Sequence, residues 1–477
     1  MSVPIPFYRD TPNTRRRWGY TFENTPEHLT LEKMQPLKHS YDKMADDCLI
    51  ELYRIRDESK QPKQDAELQA EVSQAQSGLE KPAAKGPDLL TLLRDNKHSH
   101  PAITKFWDHV NELPPWVSWT QIERGQDVFY RYGGAVLTGL AFQSLLGGMG
   151  GARVVETLTR TGAFSTKSAR KRLYETTQHL LQITQNLDSV KPGGKGWESS
   201  VRVRLLHAMV RQRILKLEKE KPGYYDVESY GMPVSDLDSI GTIMTFSSSL
   251  LWQSLPRQGL FPSSQECEDY VALWRYIGNL MGTPTESYFD SAASARRTLE
   301  SLLLYEIDPS PTSRVLSYNL IAALSNSPPI YASPDMLLAT ARWLLGHELC
   351  DALGLGRPRS WFYYALMAGQ CIFFMFAVYS ARLIHAWDVR KQAFLRKAFW
   401  VMIVESDTGL KGREASFDMK WVPRHGKTTV KEQWREKEKG EPAGIEMRNL
   451  KALAYGVLSL TAVVVLSWVS LRVLLKN

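Results

Sequence analysis

The sequence predicts an all-α fold, and three observations carry that expectation. From about Pro101 to Gly356 apolar residues recur at helical spacing, with few of the alternating Val, Ile and Thr runs that strands would need. Start signals stand where helices would begin. Ser333-Pro334-Asp335 reads as an N-cap, a proline at the first helical position and an acid in the first turn, and Ser263 followed three residues later by Glu266 is a capping-box pair. The chain has 477 residues, 43% hydrophobic and 23% charged, so it can bury a core and is neither disordered nor collagen-like.

Residues 1 to 100 read as an N-terminal arm. It begins without the basic and apolar regions of a secretory signal, and it contains a Gln-, Lys-, Glu- and Ala-rich linker at 57 to 86 without aromatic residues. Residues 101 to 360 read as the main helical domain. Within it, the uncharged run Gly133 to Ala152 holds seven glycines, which makes it a poor lipid span but suits a core helix ending in a turn, or a wall where a large flat ligand approaches the backbone. Residues 361 to 450 read as a hydrophobic, membrane-associated helix followed by a basic linker.

Two uncharged stretches concern the membrane. Ala452 to Leu471 is 20 residues long, flanked by Arg448 and Lys451 before it and Arg472 and Lys476 after it. That length of helix, about 30 Å, matches the hydrocarbon core, so residues 451 to 473 are expected to form a transmembrane tail anchor. Trp361 to Ala381 is also uncharged. If both stretches spanned, residues 386 to 450 would lie in the lumen with 14 Lys+Arg against 10 Asp+Glu, contrary to the preference of positive loops for the cytosol. A single anchor is therefore expected, with the 361 to 381 helix buried or lying along the membrane face.

Global averages exclude several classes. A mean hydropathy of −0.30 excludes a polytopic transporter. The net charge of +8 is spread along the chain, so no nucleic-acid partner is expected. Cys48, Cys267, Cys350 and Cys371 lie far apart without a C-x-x-C pair, which disfavours a zinc site or a disulfide framework.

The segment Ser199 to Lys216 carries the most chemistry. At 100° per residue, Arg204, His207 and Arg211 fall within about 60° of one another on one helix face. Neighbouring positive charge disfavours the imidazolium and leaves His207 neutral, the form that binds a metal, although a solvated basic face would show the same spacing. A second helix, Thr166 to Gln182, places Arg172, Glu175, Thr176 and His179 on one face. Glu156 precedes it, a carboxylate that could serve as a base in an apolar pocket or simply be exposed.

The order Glu156, Arg172, Thr176, Arg204, His207, Arg211 resembles the catalytic signature of the latex clearing proteins, or rubber oxygenases, and of the ER-bound MpaB-type oxygenases. The flanking LPPWVSW (113 to 119), ERGQDVFYRY (123 to 132), LTRTGAF (158 to 164) and WRYIGNLMGTP (274 to 284) are similar to the fungal branch. The resemblance covers roughly residues 110 to 300. It implies a globin-like helical core holding haem b, with His207 as the axial ligand of the iron and Arg204, Arg211 and Thr176 near the haem and its propionates. It further implies that Glu156 abstracts a proton, that Arg172 supports the pocket, and that O2 cleaves a carbon–carbon double bond of a lipophilic, prenyl-type substrate. One position departs from the pattern. Latex clearing proteins have a lysine just before the threonine, where this sequence has Glu175, so an open or water-bound sixth site on the iron is expected. The anchor suits a substrate that partitions into the bilayer, with the catalytic domain on the cytosolic face of the endoplasmic reticulum. Peroxidation, hydroxylation or isomerisation on the same fold, or a non-catalytic haem-binding membrane protein, are the alternatives.

Overall fold

The computed structural model describes residues 10–58, 88–162, 164–165, 168–415, 417 and 444–474. As the sequence predicts, the described chain is helical, with one antiparallel hairpin (β1 Thr14–Arg17, β2 Tyr20–Glu23) as its only named sheet. The longer helices are α1 (Leu31–His39), α2 (Lys43–Glu58), α3 (Leu89–Asp95), α4 (Pro101–Asn111), α5 (Trp119–Gly139), α6 (Ala152–Thr161), α7 (Ala169–Thr184) and α8 (Lys195–Glu220). There follow α9 (Asp236–Phe246), α10 (Ser264–Leu280), α11 (Ala292–Tyr305), α12 (Pro311–Leu324), α13 (Pro334–Leu345), α14 (Phe362–Arg382), α15 (His385–Trp400) and α16 (Gly444–Leu474). The linker at 57 to 86 lies outside the described residues apart from its first two positions.

Both anticipated start signals form. Ser333 caps α13 through the Met336 amide with Pro334 in the first turn, and Ser263 and Glu266 exchange the two hydrogen bonds of a capping box at α10. The helices of the first 100 residues pack into the core. Met34 of α1, Cys48, Leu49 and Leu52 of α2, and Leu90 and Leu93 of α3 belong to the same continuous core as α5, α8 and α10. The physical reason is that α2 and α3 each carry an apolar stripe, which finds cover only against the central helices. All four cysteines are free and buried.

The glycine-rich run ends α5 and continues as a π-helical segment, Leu140–Leu146. Most of its glycines serve packing: a β-carbon at Gly147 would come within 2.8 Å of Leu345, and one at Gly150 within 2.9 Å of Ile307. Gly148 differs. A β-carbon there would meet nothing within 4 Å, because the position faces open space.

Among the described residues, α14 and α16 are the two helices long and apolar enough to cross a membrane. They are not alike. One face of α14 is buried through Leu366, Met367, Gln370, Cys371, Phe374 and Val378, while Phe376 on the other is 73% exposed. α16 begins against α14, with Asn449 fully buried, and then leaves the domain with Leu458, Leu460, Val463 and Leu466 all exposed. The close approach depends on Gly369, whose missing side chain leaves room for the carbonyl oxygen of Asn449. Gly369→Leu is expected to cost about 1–3 kcal/mol through overpacking, read as a lower thermal midpoint of the full-length protein in detergent; an unchanged midpoint would show that this crossing carries no strain-sensitive packing.

Candidate functional site

Between α5, the π-helical segment, α6, α7, α8 and α9 on one side and α14 and the start of α16 on the other lies a cavity of about 710 Å3. Its wall is mostly apolar, with Leu140, Leu145, Leu158, Leu206, Phe246 and Phe374 among the lining residues, and Gly148 opens onto it. That volume falls within the range of about 300–1,000 Å3 common for small-molecule and cofactor sites.

α8 brings His207 to this wall. Leu206, Val203 and Val210 face the cavity beside it, so the imidazole sits in an apolar surround. Burial is the main reason its pKa is pushed down to about 4, and the Arg211 charge adds to the effect while Asp42 opposes it. The expected neutral ring is thus held chiefly by desolvation, with the flanking arginine second. No described residue hydrogen-bonds either ring nitrogen of the His207 imidazole.

The two arginines flanking His207 in sequence face away from the cavity, and here the structure departs from the propionate role that the resemblance implies. Arg204 is 2% exposed and holds Asp42 of the α1–α2 junction through Nε (2.6 Å) and Nη2 (3.0 Å), with its guanidinium 4.7 Å from the Phe106 ring centre. Arg211 is equally buried and binds both oxygens of Asp46 on α2, donates to the Val234 carbonyl at 2.7 Å, and stacks on Tyr41. Each positive charge therefore already has a bidentate carboxylate. Helical spacing puts the three residues within one arc, but a sequence gives no sign that Asp42 and Asp46 take up the two arginines while the imidazole between them reaches the cavity.

α7 contributes a second group. Arg172, Glu175, Thr176 and His179 all line the cavity, as their shared face predicts. Arg172 Nη1 donates to Glu175 Oε2 at 3.0 Å, and Lys171 lies 3.6 Å from Oε1. His179 is a second neutral imidazole: its Nδ1 lies 2.8 Å from Ser199 Oγ, and burial, reinforced by His207, pushes its pKa down to about 4. Its place on the Arg172–Thr176 face was the available sign.

Glu156 on α6 is buried but is not on the cavity wall. Its neighbours Arg153, Val154, Thr157 and Leu158 face inward, while Glu156 pairs with Arg160 at 3.2 Å. The carboxylates on the wall are Glu175, Asp238 and Glu306, and Arg153 holds the last two at 2.8 and 2.9 Å.

The family model for the ER-bound oxygenase mpaB/B′ and rubber oxygenase catalytic domain matches residues 130–370. A solved latex clearing protein in its closed state is similar in fold, with a TM-score of 0.54 and 18% identity over 76% of this chain and 91% of that one. No curated protein sequence matches.

Two histidines with depressed pKa values, His179 buried and His207 half-buried on the cavity wall, make the fold pH-sensitive in a defined direction. From an ordinary value of 6.5 to a folded value of about 4, the unfolded chain binds the protons first, so stability is complete above pH 6.5 and falls as the pH drops toward 4. The midpoint of urea unfolding of the haem-free protein should decline over that window, less steeply in His179→Phe; a flat profile would show the imidazoles to be solvated. Asp46→Asn, which leaves Arg211 buried beside a neutral side chain, should lower stability by about 3–5 kcal/mol in the same assay.

Proposed function

The chain belongs to the family of ER-bound mpaB/B′ and rubber oxygenases, and from that premise we propose that it is a membrane-anchored, haem b-dependent oxygenase that cleaves a carbon–carbon double bond of a lipophilic, isoprenoid substrate. The observation that supports this best is His207: a neutral imidazole without a hydrogen-bond partner among the described residues, on the wall of a large apolar cavity. A haem iron needs such a ligand. The fit extends to the wall around it, since Gly148 leaves open space and the lining is mostly apolar. When bound, the haem supplies the O2 chemistry that no side chain provides.

The protein's own part is to exclude water, hold the alkene and handle protons. The apolar wall does the first two. For proton transfer the geometry favours Glu175 over Glu156, because Glu175 is on the wall while Glu156 is one residue removed from it and tied to Arg160. Arg172 positions the Glu175 carboxylate through Oε2, and Thr176 presents a hydroxyl beside it. Glu156 then acts through α6, whose inward residues it helps to orient.

Substrate access fits the membrane reading. Phe374 and Gln370 of α14 and Ile445 and Arg448 of α16 line the cavity, and Trp361, Phe376 and Leu383 on or beside α14 and Trp387 and Phe394 of α15 are exposed. We place the domain on the cytosolic face of the endoplasmic reticulum, with α16 as the anchor and α14 against the bilayer surface.

Cleavage adds one O2 across one alkene and yields two carbonyl fragments. With 18O2 and a farnesylated or geranylgeranylated phenol, each fragment should carry one labelled oxygen; label in a hydroxyl or epoxide product alone would contradict the reaction. Glu175→Gln should lower kcat by about 100-fold, the usual scale for a lost acid–base group, whereas Glu156→Gln should keep kcat within a few-fold. The reverse order would return the proton-transfer role to Glu156.

A further inference from the structure

The reading of the cavity as a haem and lipid site leaves its charge balance open at one place. Three arginines line the wall: Arg153, Arg172 and Arg448. The first two are neutralised, Arg153 by Asp238 and Glu306 and Arg172 by Glu175. Arg448, in the first turns of α16, is held by amide groups instead. Its Nε and Nη2 donate to Asn449 Oδ1 at 3.1 and 2.8 Å, and Nη2 reaches Gln370 Oε1 at 3.5 Å. Its guanidinium carbon lies 4.4 Å from the ring centre of Phe373 and 5.8 Å from that of Phe374.

Amide oxygens and ring faces orient a guanidinium without cancelling its charge. Gln370 and Asn449 are 3% and 0% exposed, and Asn449 Nδ2 donates to Gln370 Oε1 at 3.3 Å, so the cradle is itself packed and fixed. A half-buried cation with no carboxylate partner among the described residues is costly unless an anion arrives with the cavity's occupant. We propose that Arg448 is the carboxylate-recognition residue of the cavity, pairing with an acidic group of the molecule that fills it. This rests on the cavity being a ligand site, as proposed above. The acid has two sources, a side chain of the haem or the head group of a lipophilic acid substrate. Either way the anchor helix supplies a binding residue to the site and is more than a tether.

Four probes on the full-length protein in detergent at pH 8 separate the cases: haem, haem dimethyl ester, hexadecanoic acid and hexadecan-1-ol, each measured by equilibrium binding. If the acid is the substrate's, wild type should prefer hexadecanoic acid to the alcohol by about 10- to 100-fold, the scale of a charged hydrogen bond, and Arg448→Gln should erase that ratio. If it is the cofactor's, Arg448→Gln should weaken haem by a similar factor and leave the dimethyl ester unchanged. A general folding defect lowers both members of a pair together, so the ratios remain informative, and Arg448→Lys should retain part of the preference. Ratios equal in wild type and Arg448→Gln for both pairs would overturn the proposal. Failure of wild type to bind all four probes would instead sink the cavity reading itself, and the proposal with it.

Discussion

Two buried ion pairs, Asp42 with Arg204 and Asp46 with Arg211, determine where the rest of the site can be. They join α2 to α8 on either side of His207, one turn before it and one turn after it, so the imidazole has little freedom to rotate away from the cavity. Breaking one such pair leaves a charge stranded in low dielectric, and that cost makes the register of α8 on α2 effectively all-or-none. The same pairs bring the N-terminal helices into the core. Without α2 the α8 helix would present two arginines to solvent, and nothing would fix which residue faces the apolar wall.

The second constraint comes from the other end of the chain. α14 and α16 meet at Gly369 and Asn449 and jointly close one side of the cavity before α16 continues outward with its apolar residues exposed. On the proposed membrane-anchored reading, a site at this junction is well placed for a substrate whose free energy is lowest in lipid. About 0.8 kcal/mol is recovered for each CH2 removed from water, so a hydrocarbon chain passing from bilayer to apolar cavity loses little of that stabilisation on the way. Polar groups at the junction then have disproportionate influence on which lipids enter.

How much of this was legible depended on whether the signal was local. The helical fold, the caps at Ser263 and Ser333, the long apolar helix near the C-terminal end and the shared face of Arg172, Glu175, Thr176 and His179 all follow from short-range spacing. The partners of Arg204 and Arg211 did not, because Asp42 and Asp46 lie more than 150 residues away in the sequence, and composition alone suggested an arm there. Glu156 illustrates the same limit. An amphipathic helix fixes relative angles among its own residues, and only the neighbours decide which angle points into a cavity. Arg448 was legible as a flank of the anchor but not as part of the wall, which needs α14 as well.

The central claim is that His207 holds the iron, and the most direct measurement is the visible absorption spectrum of haem-loaded full-length protein beside that of His207→Ala. Wild type should retain one haem with a sharp Soret band. The variant should lose or shift that band and recover it on addition of imidazole, while the Tm of the haem-free protein stays close to wild type. An identical spectrum and equal haem retention in His207→Ala would contradict the assignment.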